Sequence, residues 1–391
     1  MSTSETVLWI AGTSWNGVPG TDRRLVAELS EHFDVIWVDP PARLPRGLTA
    51  MQKLKQVQPR VWLLSIYTLP GITRPLIRGI TSWILQRNIQ AVLRTTGRRP
   101  IATVVAFPIA QFPVRNTGKR IFYVTDDWLS SAHLTGFSQN YMRKIIDRNL
   151  RSADTVAAVT PVLLENLKKT ASFTRGIVFP NGCPEIPPRG EVRRRREIGL
   201  FGQLNERLDL EILEQLQLSG VRILVAGPRT DTDQAFGAQL TRFLESENVQ
   251  WVGAVSSAEL QQYLSRVSVG ITPYANTEFN RSSFPLKTLE YLAAGVPVVA
   301  VSSPAVDWLN CDLIFGAENT ISFVEHTLEL LDTSWDIAEE EQRRNFAKNH
   351  SWRQRARQFS ELIGHSSVGN TPLESRETQE TLKSVPTIKE A

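Results

Sequence analysis

Residues 282–301 read SSFPLKTLEYLAAGVPVVAV. Apolar residues recur at helical spacing up to Ala294, Gly295 closes the segment, and Pro297 opens a short apolar run of the kind that forms a buried strand. The stretch predicts a helix over 285–295, capped by Ser282 or Ser283, with Pro285 in its first position. Lys287 then falls in the first turn, where the positive end of the helix dipole disfavours a cation. An anion at that helix end would remove the conflict, because backbone N–H groups, the dipole and the ammonium would converge on it as they do on a phosphate. Glu290 lies three residues on, on the same face, and can accept two hydroxyls such as those of a ribose. The pair therefore reads either as a clamp for a nucleoside diphosphate or as an ordinary i,i+3 ion pair.

The pattern around this stretch repeats along the chain. TVLWIAG, FDVIWVD, VWLLSI, IATVVAF, RIFYVTD and DTVAAVT read as buried parallel strands in the first half, with helix-length segments such as TDRRLVAELSEH between them. REIGLFG, VRILVAG, VQWVG, VSVGITPY and VPVVAV repeat the scheme in the second half. Alternating strands and helices imply right-handed βαβ units and doubly wound sheets. With 391 residues, 41% of them apolar, the chain can bury two cores. FPNGCPEIPPRGEVRRRRE interrupts the pattern with the turn dipeptide Asn181-Gly182, then Pro184, Pro187 and Pro188, then four consecutive arginines, which places a linker at 183–195. The expected division is 1–182, 196–348, a terminal helix over 349–365 and a polar, unstructured tail over 366–391. Ligands of such sheets bind beyond the carboxyl ends of the strands, so two domains facing across a hinge form a cleft.

Composition narrows the function. A net charge of +4 and a pI of 9.1 suit anionic small molecules or an anionic membrane face and are too diffuse for nucleic acid. Cys183 and Cys311 lie in no metal or redox spacing, and the five histidines are scattered, so no metal and no cofactor is expected. The first residues lack the basic segment of a signal peptide, and no stretch offers the ~20 uncharged apolar residues of a membrane span. The expected location is cytoplasmic. Peripheral contact with the inner membrane face through Arg193–Arg196, or through RPLIRGITSWILQR, is an alternative to a solvated linker edge and to core packing.

At this point the sequence resembles the GT-B glycosyltransferases of the family 4 type, in particular a bacterial branch that includes teichuronic acid and exopolysaccharide glycosyltransferases. The resemblance spans about residues 6–364 and is most specific in PLKTLEYLAAGVPVVA. LFGQLNERLDLEIL, LVAGPR, WVGAVSSAEL, YVTDDW, ADTVAAVTPVLLENL and VFPNGC follow in the family's order. It implies two Rossmann-like domains facing a central cleft and the transfer of a sugar from a nucleotide-diphosphate sugar, UDP before GDP, to a cell-surface glycan or glycolipid precursor. It implies that Glu290 binds the donor ribose, that Lys287 and Arg207 bind the diphosphate, that the backbone near Ala254 and Val255 meets the base, and that Gly202 lets the chain pass close to the phosphates. Many relatives carry a glutamate eight residues before the ribose-binding one. Here Ser282 stands there, which leaves the donor-sugar contacts and the stereochemical outcome open. A same-fold epimerase and a silent nucleotide-sugar-binding subunit are the rival expectations.

Three further segments bear on the cleft. YVTDDW ends a strand with Asp126 and Asp127, which either orient an acceptor hydroxyl and act as base or cap the next helix. AGTSWNGVPGTDRRL follows the first strand. Its Gly17 and Gly20 allow close approach to donor phosphates, Thr21 can cap the next helix, and a plain turn is the alternative. Asp231 and Asp233 imitate a metal-binding DxD but lie in a polar loop away from the helix-end clamp.

Overall fold

The computed structural model describes residues 5–364 apart from 18, 44–53, 116–117, 131–136, 189, 191 and 334–335. In the first half the chain runs through β1 (Thr6–Ile10), α1 (Thr21–Leu29), β2 (Asp34–Val38), β3 (Ala42–Arg43), β4 (Lys55–Gln58), β5 (Val61–Leu64) and β6 (Tyr67–Thr68). It continues through α2 (Pro75–Thr96), β7 (Pro100–Val105), β8 (Lys119–Val124), α3 (Gln139–Ser152), β9 (Thr155–Ala158), α4 (Pro161–Thr170) and β10 (Gly176–Val178). Eight of these strands form one sheet in the order β10-β9-β8-β7-β1-β2-β5-β4. Every pairing in it is parallel except β4 with β5. All five residues of β1 are buried, because helices cover both faces of the sheet and leave no side for polar residues.

The second half contains β11 (Arg195–Phe201), α5 (Leu210–Leu218), β12 (Arg222–Ala226), α6 (Gln234–Leu244), β13 (Val249–Trp251), α7 (Ser257–Arg266) and β14 (Val267–Thr272). It then forms α8 (Glu278–Ser282), α9 (Leu286–Ala293), β15 (Val298–Val301), α10 (Pro304–Trp308), β16 (Ile314–Ala317), α11 (Thr320–Asp332), α12 (Ile337–Asn349) and α13 (Trp352–Ile363). Its six parallel strands are ordered β13-β12-β11-β14-β15-β16. Strand order reverses between β1 and β7 in the first sheet and between β11 and β14 in the second, and these switch points open crevices at the carboxyl edges.

The chain crosses between the sheets twice, and the crossings lie side by side. The Cys183 N–H donates to the His350 carbonyl at 2.9 Å, and the Trp352 N–H donates to the Cys183 carbonyl at 3.2 Å. The Arg355 guanidinium meets His350 Nδ1 at 2.7 Å. Arginine can only donate, so this nitrogen accepts, and burial together with the Arg355 charge pushes the imidazole down to about 4. After this crossing α13 leaves the second sheet and packs on α1. Phe359 is fully buried, with its ring 5.5 Å from that of Trp9 and 5.3 Å from that of Phe179. The last helix therefore belongs to the first core. The polar tail over 366–391 lies outside the described residues.

Candidate active site

The Lys287 helix starts later than its sequence predicts. Pro285 occupies the cap position of α9 and no side chain caps it. Ser282 and Ser283 instead close α8, their hydroxyls donating to the carbonyls of Glu278 and Phe279, each at 2.8 Å. The cause is local: Thr277 caps α8 and draws the following residues into a turn of helix, so the serines fall at its end. The first N–H groups of α9 are left without a side-chain acceptor.

The ion pair between Lys287 and Glu290 forms, with Nζ donating to Oε2 at 2.6 Å. It is not a solvated surface pair, since the Glu290 side chain is 7% exposed. A second cation reaches the same carboxylate from the other domain, Arg24 of α1 lying 3.4 Å from Oε1. The adjacent Tyr291 locks α9 onto the sheet. Its hydroxyl donates to the Gly199 carbonyl at 2.7 Å and accepts from the Phe201 N–H at 2.9 Å. Its ring fills the space in front of Gly270, where a Cβ would stand 2.3 Å from the ring, so residue 270 has to be glycine.

The loop after β11 passes the same place. Gly202 has φ +148, a conformation L side chains rarely adopt, and a Cβ there would lie 3.5 Å from Cε of Lys287. Arg207 further along this loop donates to Asn280 Oδ1 at 2.9 Å, its guanidinium 5.0 Å from the Tyr274 ring and 5.1 Å from the Phe279 ring. Arg207, Ser283 and Pro285 line one depression of about 30 Å³ at the start of α9. Ala254 and Val255 sit in the loop between β13 and α7. The carbonyl of Gly253, just before them, accepts from the Gly227 N–H at 2.7 Å, which ties this loop to the one after β12.

The first domain faces this edge with its own carboxyl edge, and the structure separates the two aspartates. Asp127 is buried and accepts the N–H groups of Leu129 and Ser130 through Oδ1, a capping arrangement. Its Oδ2 lies 3.4 Å from the Ser282 hydroxyl across the cleft. Asp126 keeps a half-buried carboxylate that accepts from the Thr125 hydroxyl at 3.0 Å. Burial raises the Asp126 carboxyl above its usual range, the Thr125 bond and the Arg207 charge act against that, and the Asp127 charge adds to it. Thr160 closes the cleft locally, its hydroxyl donating to the Ser282 carbonyl at 2.8 Å.

Within the loop after β1, Gly17 turns back to the Ser14 carbonyl and Gly20 holds the cap position of α1. Thr21, expected to cap this helix, is its first residue and does not cap it. Two residues here carry no signal of their own in the sequence. One is Arg24. The other is Asp22, buried and accepting the Gly12 N–H at 3.0 Å. Only the TDRRL segment with its acidic first turn could have drawn attention to either.

Comparison with known proteins bears on this arrangement. Residues 196–333 match the family described as Glycosyl transferases group 1, and these residues contain Gly202, Arg207, Lys287 and Glu290. Over that segment the chain is similar to the glycosyltransferases of group 1. Among curated proteins it is 27% identical over 269 residues to TuaH of Bacillus subtilis (strain 168), described provisionally as a teichuronic acid biosynthesis glycosyltransferase. That match spans 62% of this chain and 66% of the relative, just under two thirds of its length. Among solved structures, sucrose-phosphate synthase from Thermosynechococcus elongatus aligns with a TM-score of 0.70 at 14% identity, over 92% of this chain and 98% of that one. Anabaena Alr3699/HepE in complex with UDP and glucose aligns at 0.64 and 14% identity, over 92% and 99% of the two chains. An α,α-trehalose-phosphate synthase (UDP-forming) from Burkholderia xenovorans, in complex with glucose-6-phosphate, aligns at 0.65 and 13%, over 92% and 100%. These similarities establish the GT-B fold.

Two segments weighed as ligand sites take part in local structure. Asp231 pairs with Arg229 at 2.7 Å and Asp233 caps α6, so both members of the DxD imitation are engaged in shaping one loop. In the arginine run, Arg194 is held by Glu340 at 3.0 Å and by three backbone carbonyls, and Arg196 pairs with Asp332 at 2.8 Å. Arg194 is thereby withdrawn from the surface, whereas Arg196 stays exposed. Among the described residues no helix is long and apolar enough to cross a membrane.

The Asp22 carboxyl is raised from its usual 3.8 to about 6, mainly by burial; the Gly12 N–H bond offsets this and the Asp126 charge adds to it. A native carboxyl that holds its proton more tightly than the unfolded chain stabilises the fold at low pH, and that stability is lost as pH rises through about 6. The size of this rise corresponds to about 3 kcal/mol. Asp22→Asn keeps an acceptor for Gly12 and removes the titration. Urea unfolding should find the variant close to wild type at pH 4 and more stable by up to about 3 kcal/mol at pH 7.5; a difference that does not change with pH would contradict this.

Proposed function

We propose that this protein transfers a glycosyl unit from a nucleotide-diphosphate sugar bound by the second domain to a cell-surface glycan or glycolipid precursor bound by the first. The observation that carries the proposal is the start of α9, which no side chain caps and near which Lys287, Arg207 and the glycine backbone at 202 lie. Breaking the bond between sugar and diphosphate leaves negative charge on the departing oxygen, and fixed positive groups in a water-poor cleft stabilise that charge best. Lys287 and Arg207 supply it together with the helix end. The nucleotide exchanges the Lys287–Glu290 pair for two new contacts: the ammonium turns to the diphosphate, and the freed Glu290 oxygens accept the ribose hydroxyls.

UDP is the favoured carrier, supported by two structural relatives described as UDP-forming and as solved with UDP and glucose. Transfer proceeds without a metal, because two side-chain cations and a helix terminus already face the leaving group, and we further propose that it retains configuration. Ser282 fits the same scheme. A carboxylate at that position would face the Asp127 carboxylate across the cleft, where like charges repel. Asp126 is the group available to orient and deprotonate the acceptor hydroxyl, since Asp127 is taken up in capping. Closure of the two domains assembles these groups and excludes water that would hydrolyse the donor. The enzyme works at the inner face of the cytoplasmic membrane, touching it through the exposed side of α2, where Leu76, Ile80 and Trp83 are exposed and Arg87 stacks on Trp83. Sedimentation with anionic vesicles, reduced by Trp83→Ser, is the check on that contact, and equal sedimentation of both proteins would rule it out.

Lys287→Ala should weaken UDP binding by about 1.5–3 kcal/mol in calorimetry, with the fold preserved because Glu290 retains Arg24. An unchanged affinity would remove Lys287 from the site. Asp126→Asn should lower kcat by about 10²–10⁴ and leave UDP affinity within twofold; a variant that turns over normally would leave proton transfer to another group. Turnover of the wild-type enzyme should persist in EDTA, and loss that manganese restores would return Asp231 and Asp233 to consideration.

A further inference from the structure

A cavity of about 230 Å³ lies in the first domain, away from α9, lined by α2, by α3 and by the segment after β7. Arg78, Thr81 and Leu85 project from α2, Tyr141 and Arg148 from α3, and Phe107 from the β7 segment. The Arg78 guanidinium stacks on the Tyr141 ring at 3.5 Å. Arg148 is largely withdrawn from water and spends its hydrogen bonds on neutral acceptors, the Ala110 carbonyl at 2.9 Å and Asn149 Oδ1 at 3.3 Å. Burial lowers its basicity. Both guanidinium charges act on the Tyr141 phenol. Among the described residues no carboxylate pairs with Arg78 or Arg148. Thr81 is 4% exposed, and its hydroxyl has no hydrogen-bond partner.

A largely buried Arg148 guanidinium without a carboxylate among the described residues and a buried Thr81 hydroxyl without a partner are each unfavourable, and one oxyanion, met also by Arg78, relieves both. Guanidinium forks match the geometry of phosphate and carboxylate oxygens, while Leu85 and Phe107 offer apolar contact to the body that carries the anion. The place also fits. The Ala106 N–H donates to the Ile10 carbonyl at 2.9 Å, and the Ala106 carbonyl oxygen would stand 3.2 Å from a Cβ on Gly12. The segment that supplies Phe107 therefore abuts the loop leading to Asp22 and Arg24, on the sheet edge that carries Asp126.

We propose that this cavity is a subsite for an anionic acceptor, in which Arg78, Arg148, Tyr141 and Thr81 hold a phosphate or carboxylate borne by the molecule that receives the sugar. The proposal rests on the glycosyltransferase reading above and deepens it by giving the acceptor a charge.

The test is a pair of titrations on the full chain. UDP is added to saturation first, so that the helix end of α9 is occupied. Glycerol 3-phosphate, glucuronate and the neutral methyl glucoside are then titrated and followed by ligand-observed NMR. At least one of the two anions should bind tenfold or more tightly than the neutral sugar, and the tighter one identifies the group as phosphate or carboxylate. Arg78→Ala and Thr81→Val, checked for an unchanged melting temperature, should each weaken that anion severalfold while UDP affinity stays within twofold. Anion binding that both variants leave intact, or no preference for either anion over methyl glucoside, would overturn the proposal. Absence of a UDP signal would count against the donor site alone, because the response to Arg78→Ala reports on the cavity with or without nucleotide.

Discussion

A carboxylate withdrawn from water needs compensating charge, and Glu290 is where this molecule meets that requirement. Lys287 pairs with it from its own helix and Arg24 approaches it from the opposite domain. Much of the surrounding architecture follows from holding this charge in place. Tyr291 ties α9 to β11, Gly270 gives way to the tyrosine ring, and Gly202 gives way to the lysine. The same constraint accounts for the lysine at a helix start. Its charge is balanced one turn downstream by Glu290, and in the proposed complex the helix end and the lysine would act together on the diphosphate.

The domain architecture makes that balance adjustable. The two crossings, at Cys183 and at His350–Trp352, are hydrogen-bonded to one another, so they form a single narrow connection, and α13 anchors the far side of it in the first core through Phe359. Across the boundary α4 packs on α8 and α10, and the polar contacts over the cleft among the described residues are Arg24 with Glu290, Thr160 with Ser282, and Ser282 beside Asp127. Such polar contacts can be exchanged for contacts to a substrate at small net cost, unlike the apolar packing inside each domain. Burial of Asp22 and Asp126 on the facing edge adds carboxyls with raised proton affinity close to where an acceptor hydroxyl would react.

The strands were legible in the sequence because they are buried on both faces and read as continuous apolar runs, as TVLWI and VSVGIT do. Short edge strands such as Gly176–Val178 lack such a run and were not visible. Lys287, Glu290 and Arg207 stood out because each sits in a motif with a local conflict or a local purpose. Helix ends were less certain. Thr277 competes for the serines at 282 and 283, and nothing in the spacing of SSFPLK reveals which helix they serve. Asp22 and Arg24 were missed for a different reason. An acidic residue and an arginine in the first turn and a half of an amphipathic helix look like ordinary surface residues, and only the tertiary structure turns one into the core and the other across the cleft. That Asp127 accepts capping bonds from Leu129 and Ser130 likewise depends on a turn that YVTDDW does not reveal.

The density of UDP bound to the protein is the most direct test of the account. The diphosphate should lie at the first turn of α9 within hydrogen-bonding distance of Lys287 Nζ, with the ribose hydroxyls on Glu290 and the Lys287–Glu290 pair opened. Nucleotide bound elsewhere, or bound near α9 with that pair still closed and Glu290 free of the ribose, would contradict it.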